Sequence, residues 1–440
     1  MIIVAVLVLT ASAVGAAGIT LVTGLGNAGG GKLAQQANAA AKTHLVGPKG
    51  TGLTRGITSS SILVGCVYTK VDYAGYQHGI EAAFNQINKT GGVDGRKLKL
   101  LVPCDDDANS AQTNVSDNQQ LVNQDHVFAV LALSAWELPS STNFLNSNQV
   151  PTVSWGFNPG FCGYRWEFGW NGCLGGNAFK EPVEAIAGNL ANAIVKASGL
   201  KPSKVRFAVQ AQNNISGTSG NAQYVALFKT IGAKVVYAKT DYPAVSAGVD
   251  PTPYAQAIVA AKPNIIYLST DFSSVGPLAS AIRAAGYKGI IMDFTNYIPG
   301  LLPTSPQLAK ALQGEYVNTQ EVPNEEETPY VKQVASGLTA VGSQPFVTLG
   351  AFQGYSQADM LVQMLQAVGK KLNTKTFDQK INGGGFTAFA SGPSGGPGKL
   401  IWPAAHYIPA DCAAIVKVSG TQYHVVEPFS CYQSYKVVGG

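Results

Sequence analysis

At 440 residues the chain exceeds one typical domain and suits two lobes of about 150 to 200 residues each. Hydrophobic residues make up 46% and charged residues 12%, which gives ample apolar material for a core under a largely uncharged polar surface. The net charge of +5 is dispersed over separate pairs such as Lys97 and Lys99, Lys201 and Lys204, and Lys370 and Lys371. That scatter excludes a nucleic-acid partner, which needs basic and aromatic residues gathered on one face.

In chain order, residues 1–23 are apolar and carry no charge. They read as a signal peptide, with small residues at 13–17 offering cleavage sites, or as a membrane anchor. Either reading makes the rest extracytoplasmic: secreted, periplasmic or cell-surface tethered. No cysteine precedes Cys66, so a lipid anchor on an N-terminal cysteine is not expected. Residues 24–56, rich in Gly, Ala, Asn and Gln, read as a flexible linker. Alternation then begins: strand 62–67, an amphipathic helix 79–88 with Ile80, Ala83, Phe84 and Ile87 on one face, and glycine-rich turn chemistry at 91–95. Strand 98–102, helix 111–123, strand 127–133, helix 139–146 and strand 150–154 follow. A second series runs helix 182–197, strand 205–210, helix 222–231, strand 234–238, helix 254–261, strand 264–269, helix 276–285 and strand 289–294. Helix-prone segments return at 329–341 and 349–368, and 413–418 with 422–426 form a hairpin. Strands alternating with helices imply parallel sheets covered on both faces. Two such series predict an α/β protein of two doubly wound, Rossmann-like lobes. In such sheets ligands bind beyond the carboxyl ends of the strands, so the loops after each strand are the ones to read.

The six cysteines are an even number in an exported context. Layout favours Cys66–Cys104 between neighbouring parallel strands, Cys162–Cys173 across a short Gly- and Trp-rich loop, and Cys412–Cys431 across the terminal hairpin. None has the close Cys/His spacing of a zinc site.

The segments Ile62-Leu-Val-Gly-Cys-Val-Tyr-Thr-Lys-Val-Asp-Tyr-Ala-Gly75, His78-Gly-Ile-Glu-Ala-Ala-Phe-Asn-Gln-Ile-Asn88 and Gly91-Gly-Val-Asp-Gly-Arg-Lys-Leu-Lys-Leu100 resemble the opening of the branched-chain amino-acid (Leu/Ile/Val) binding proteins. These are type I periplasmic solute-binding proteins of ABC transporters. The likeness continues through Asp105-Asp-Asp107, Val150-Pro-Thr-Val-Ser154, Ala285-Gly-Tyr-Lys-Gly289 and Gly314-Glu-Tyr-Val317, covering roughly 57–430. The spacing Asn-x-x-Gly-Gly-x-x-Gly-Arg at 88–96 is its most specific piece. The resemblance implies a three-crossing hinge near 177, 322 and 396. Lobe I would then hold 57–177 plus 323–395, and lobe II 178–322 plus 396–440. It also implies a membrane permease as partner and a small-molecule solute: an amino acid, aromatic carboxylate or amide.

By the same resemblance, Ser134 and the backbone N–H groups of Ala135 and Trp136 meet a ligand carboxylate, while Ser154 and Trp155 line the cleft beside its amino group. Ser134 capping the next helix is the competing reading. Tyr68 and Tyr73, after the first strand, offer aromatic walls. Trp166 and Trp170 either stack on ligand or pack under the Cys162–Cys173 loop. Ser216 stands where the family usually has a tyrosine, a departure that loosens the expectation of a standard amino-acid ligand. Asp271 either pairs with an ammonium group or caps the helix that follows. Asp293 and Tyr297 sit at the rim.

No Gly-x-Ser-x-Gly, His-Glu-x-x-His or phosphate-loop motif occurs, and the five histidines are isolated in sequence. Asp105–Asp107 reads as a solvated strand-end turn rather than a cation site. The expectation is therefore no enzyme and no cofactor. The function that the resemblance implies is solute capture for an ABC importer, or, alternatively, ligand sensing by the same fold feeding a signalling partner.

Overall fold

Two separate sheets carry the fold of the computed structural model, which describes residues 44–156, 161–173, 184–186, 188–244, 248–344, 347–390, 398–410, 412–432 and 435–437. The first sheet contains β1 (Ser61–Tyr68), β2 (Lys97–Leu100), β3 (Asp105–Asp106), β4 (Ala129–Leu133), β5 (Thr152–Ser154) and β6 (Glu167–Gly169). Its order is β2-β1-β4-β5-β6, with β3 extending the pairing of β1, and every pairing is parallel. Side chains alternate across a strand, and here both faces are apolar. Ile62, Val64, Cys66 and Tyr68 enter one core, while Val67, Val130 and Ala132 enter another. The first core is roofed by helices α1 (Tyr76–Lys89), α10 (Pro329–Ala340) and α11 (Leu349–Val368). The second lies under α2 (Ala111–Asn123) and α3 (Pro139–Ser147). Burial on both faces is why these strands read as nearly continuous apolar runs.

The chain next forms β7 (Glu184–Ile186) and helix α4 (Gly188–Ser198). The second sheet follows, with β8 (Arg206–Gln212), β9 (Lys234–Tyr242), β10 (Ile265–Ser269), β11 (Ile290–Asp293) and β12 (Tyr316–Thr319). Its helices are α5 (Ile215–Thr230), α6 (Thr252–Ala260), α7 (Phe272–Ala284), α8 (Leu301–Thr304) and α9 (Pro306–Ala311). Beyond α10 and α11 come α12 (Thr374–Ile381), β13 (Phe386–Ala388), β14 (Leu400–Trp402), β15 (Cys412–Ser419), β16 (Gln422–Cys431) and β17 (Tyr435–Val437). The second sheet runs β16-β15-β12-β11-β10-β8-β9. Its five parallel strands, β9-β8-β10-β11-β12, repeat the order of the first sheet, and the antiparallel β15–β16 hairpin is added at one edge. The fold is thus the doubly wound, two-lobed one expected.

Local chemistry explains the most specific sequence signature. The Asn88 side chain accepts from Leu98 N at 2.9 Å and donates to Leu98 O at 2.8 Å, tying the end of α1 to β2. Gly92 has φ 82°, and a Cβ there would lie 2.0 Å from Arg96 O, so only glycine allows the turn. The segment is a structural clamp. A second close approach sets the roof of the first core: a Cβ on Gly354 of α11 would meet Tyr76 O of α1 at 2.1 Å.

All three disulfides pair as the layout favoured: Cys66–Cys104, Cys162–Cys173 and Cys412–Cys431. Three expectations need correction. Residues 44–56 are not a free linker. Val46 N bonds Gly163 O at 2.8 Å, Gly50 N bonds Asp378 Oδ2 at 3.0 Å, and Leu53 N bonds Thr374 Oγ1 at 3.0 Å. The strap holds because buried side chains satisfy its backbone donors. The helix expected from 182 begins only at Gly188, because 184–186 is claimed by antiparallel pairing with β17. The boundary at 395/396 falls too early. β14 pairs with β13, and Trp402 and His406 pack on Phe168 at ring distances of 5.0 and 5.1 Å, so 398–410 stay with the first lobe. The expected signal or anchor segment 1–23, residues 24–43, and the crossing near 177 lie outside the described residues. Among the described residues, no helix is long and apolar enough to cross a membrane.

Candidate functional site

The carboxyl ends of the two sheets' strands face each other. Trp155, just beyond β5, donates its Nε1–H to Gln320 Oε1, just beyond β12, at 2.8 Å. Its ring meets Phe294, just beyond β11, edge-on at 5.9 Å. Asn171 Nδ2 donates to the same Gln320 oxygen, and Asn171 Oδ1 accepts from Gly156 N at 3.1 Å. A small recess, partly open to solvent and with room for about one water molecule between the packed lobes, lies at this junction. Trp155, Phe294, Tyr297 and Leu349 give it apolar walls; Asn318, Thr319, Gln320 and Glu321 give it a polar floor.

The loop 69–75 after β1 packs against the start of α11. A Cβ on Gly350 would lie 2.4 Å from Tyr73 O, which fixes this loop beside Leu349. Its anchor is a buried polar network. Asp107 accepts from Thr69 Oγ1 at 2.8 Å, from Asn114 Nδ2 at 3.1 Å, from Asn109 N at 3.1 Å and from Ser134 Oγ. Asp107 is therefore enclosed and satisfied, not a solvated turn residue, because four donors replace its water. Glu137, also fully enclosed, accepts from Asn114 and Asn118 at 3.2 and 3.3 Å. Burial pushes its carboxyl up to about 7 against those hydrogen bonds, with Asp107 adding to the rise.

Acidic side chains gather at the cleft. Burial, then the nearby Asp271 and Asp107, pushes the Asp72 carboxyl up to about 6. Burial pushes Glu321 up to about 8, partly opposed by backbone N–H groups of Gln320 and Glu321. Burial, with Asp72, Asp107 and Asp271 adding, likewise raises the Tyr73 phenol. Among the described residues 69–75, 134–138, 155–156, 213–214, 270–271, 294–300 and 320–323, the single basic residue is Lys70, and it is exposed.

The expected site residues divide. Trp155 lines the recess, and Ser154 is buried just beneath it. Tyr73 is buried with its ring in the first core. Ser134 is fully buried: its hydroxyl donates to Asp107 and accepts from Trp136 N at 2.9 Å and Thr69 Oγ1 at 3.1 Å. That is a local turn; the helix cap expected as the alternative falls instead at Leu138. Ala135 and Trp136 are half-buried, and Trp136 Nε1 donates to Asn109. Asp271 caps α7, accepting from Ser274 N at 2.8 Å, and takes a bond from Gln212 Nε2 at 2.6 Å. The side chain of Ser216, in the first turn of α5, lies outside the described residues. Trp166 and Trp170 belong to the core, stacked on Phe377 and edge-on to Phe352. Asp293 is buried and accepts from Thr295 N and Asn296 N, while Tyr297 lines the recess. Sequence reading missed Asp72, Phe294, Gln320 and Glu321; the strand-end rule pointed at their loops but not at which residue turns inward. Among the described residues, no group of three or more His, Cys, Asp or Glu could hold a metal ion.

Two doubly wound lobes whose strand tips meet around a recess define a clamp for a small molecule. A family model described as "Periplasmic binding protein" matches residues 71–422, and the chain belongs to that family, whose members are extracytoplasmic solute-binding proteins. Among solved structures, a fatty acid ABC transporter substrate-binding protein from Thermomonospora curvata superposes with TM-score 0.69 at 18% identity, covering 88% of this chain and 95% of that one. A solute-binding protein of an R. palustris ABC transporter in complex with 4-hydroxybenzoate gives 0.63 at 16%, covering 86% and 98%. A branched chain amino acid ABC transporter protein from Thermus thermophilus with bound valine gives 0.64 at 13%, covering 86% and 98%. At these identities the likeness speaks for the fold. No curated protein matches the sequence.

Proposed function

We propose that this chain is the solute-binding component of an ABC importer, capturing a small polar or amino-acid-like solute by hinge closure and presenting the closed form to a membrane permease. The observation that carries the reading is the meeting of the two sets of strand tips at Trp155, Gln320 and Phe294 around a recess. The lobes would swing about crossings near 177 and 322 and a third entering β15, with residues 1–23 directing export or tethering the protein. Solute binds the closed form better than the open one and shifts the balance by that difference in affinity. The solutes bound by fold relatives, valine and hydroxybenzoate, give the range within which to search.

A thermal-shift screen over amino acids, amines, aromatic carboxylates, amides and sugars tests this. A genuine solute at about 100 times its dissociation constant adds roughly 2.7 kcal/mol of stability. A panel in which nothing raises the melting temperature would defeat the capture reading.

A further inference from the structure

We infer that the cleft selects solutes carrying a positively charged nitrogen, an amine or other organic cation, which seats between Trp155, Phe294 and Tyr297 beside Glu321. This rests on the binding reading above and adds the charge of the ligand to it. Four observations converge. Three aromatic side chains wall the recess, and aromatic faces attract cations through their quadrupole. The donors of two of these walls are already engaged: Trp155 Nε1–H goes to Gln320, and the Tyr297 hydroxyl goes to Glu325 Oε2 at 2.6 Å. What remains open is an acceptor. Glu321 is 2% exposed, and its Oε1 has no donor, a deficit that an N–H from solute would fill. Asp72 and Asp271 flank the same cleft from opposite lobes, and the Asp72 carboxylate has no side-chain partner among the described residues.

Basic side chains are lacking on the other side of the ledger. Among the described residues, no Lys, Arg or His lines the recess, so a solute carboxylate would approach Asp72 and Asp271 with no counter-charge from those residues. The unpaired donor among the lining side chains is Asn318 Nδ2, a neutral group suited to a hydroxyl or carbonyl of the solute. Tyr297 and Glu325 are the titratable groups beside Glu321. Since burial holds the Glu321 carboxyl up to about 8, a bound cation would favour its ionised form and release a proton. Binding should then tighten as pH rises through the neutral range.

The test is calorimetry on the full chain with benzylamine, benzyl alcohol and benzoate, three probes of similar size and different charge. Benzylamine is expected to bind at least about tenfold tighter than benzoate, with a binding heat that varies with buffer ionisation. Glu321→Gln should erase most of that margin and leave benzyl alcohol unaffected. Should that variant misfold, Asp72→Asn is measured instead, with a smaller loss of the same sign. Tighter binding of benzoate, or an amine margin untouched by either variant, overturns the inference. In the wider thermal-shift panel, stabilisation only by carboxylates lacking a cationic nitrogen likewise overturns it but leaves the capture function standing. Stabilisation by no solute at all removes the capture function itself.

Discussion

Trp155 joins the first lobe to the second by two contacts, beside the bond from Asn171 to Gln320, so its truncation should weaken closure before it weakens the fold. Two contacts cross the cleft from this one residue: the 2.8 Å bond from Nε1 to Gln320 and the edge-on ring pair with Phe294 at 5.9 Å. A hydrogen bond of this kind contributes about 0.5 to 1.5 kcal/mol net, and an aromatic pair about 0.5 to 1.5 kcal/mol beyond its area. Trp155→Ala removes both, a loss of about 1 to 3 kcal/mol from the closed state, or about 5- to 150-fold in solute affinity. Trp155→Phe keeps a ring but not the donor, so a loss near 1 kcal/mol, about fivefold, is expected. Gln320 Oε1 keeps its bond from Asn171 in both variants. Calorimetry with a solute found in the thermal-shift screen gives the affinities, and small-angle scattering with saturating solute gives the closed fraction. If Trp155→Ala binds as tightly as the parent and compacts as fully, these contacts do not report closure and the reasoning fails.

Other regions yield further expectations. Glu137 and Asp72 have carboxyls raised from 4.5 to about 7 and from 3.8 to about 6. Because the folded values lie above the unfolded ones, their contribution is full below about pH 4 and is lost as pH rises through 6 to 7. The melting temperature should fall over that window, and Glu137→Gln should flatten the slope; a steeper slope in the variant would contradict the assignment. Gly354→Ala places a methyl 2.1 Å from Tyr76 O and should cost about 1 to 3 kcal/mol or more by forcing α1 and α11 apart. Gly220→Ala, within α5, whose nearest neighbour would be Ser269 Oγ at 3.5 Å, should be neutral or stabilising in chemical denaturation. Replacing Cys66 and Cys104 together by Ala opens a loop with sequence separation 38 and should lower the unfolding free energy by about 3 to 4 kcal/mol on a chain-entropy basis.

The sequence was most legible where structure is local. Four strands of the first sheet, β1, β2, β4 and β5, and four of the second, β8 to β11, follow from strand-prone runs bounded by turn residues, while β3, β6 and β12 escaped; α2 and α11 follow from helical periodicity with their ends correctly placed. The disulfides followed from the parallel-strand and hairpin layout. What escaped was set by distant partners. The strap at 44–56 is held by Gln149, Thr374 and Asp378, far along the chain. β7 exists because β17 pairs with it some 250 residues later. The site shows the same division. Trp155 and Tyr297 sit where strand-end loops predict, but Trp155 meets Gln320 across 165 positions, a juxtaposition that only the packed lobes reveal. Ser134 and Asp271 looked like ligand contacts because hydroxyls and carboxylates at strand ends suit that role. In the fold Ser134 joins a buried network and Asp271 caps a helix, and local pattern does not separate such uses from ligand contact.

The central claim, closure of two lobes over a solute held between facing strand tips, is tested most directly by pulsed electron–electron distance measurement. Spin labels carried on unnatural amino acids would replace Val71 and Ser273, exposed positions beside the tips of β1 and β10. A solute that raises the melting temperature should convert a longer, broad distance distribution into a shorter, narrow one. The same distribution with and without that solute would contradict the account.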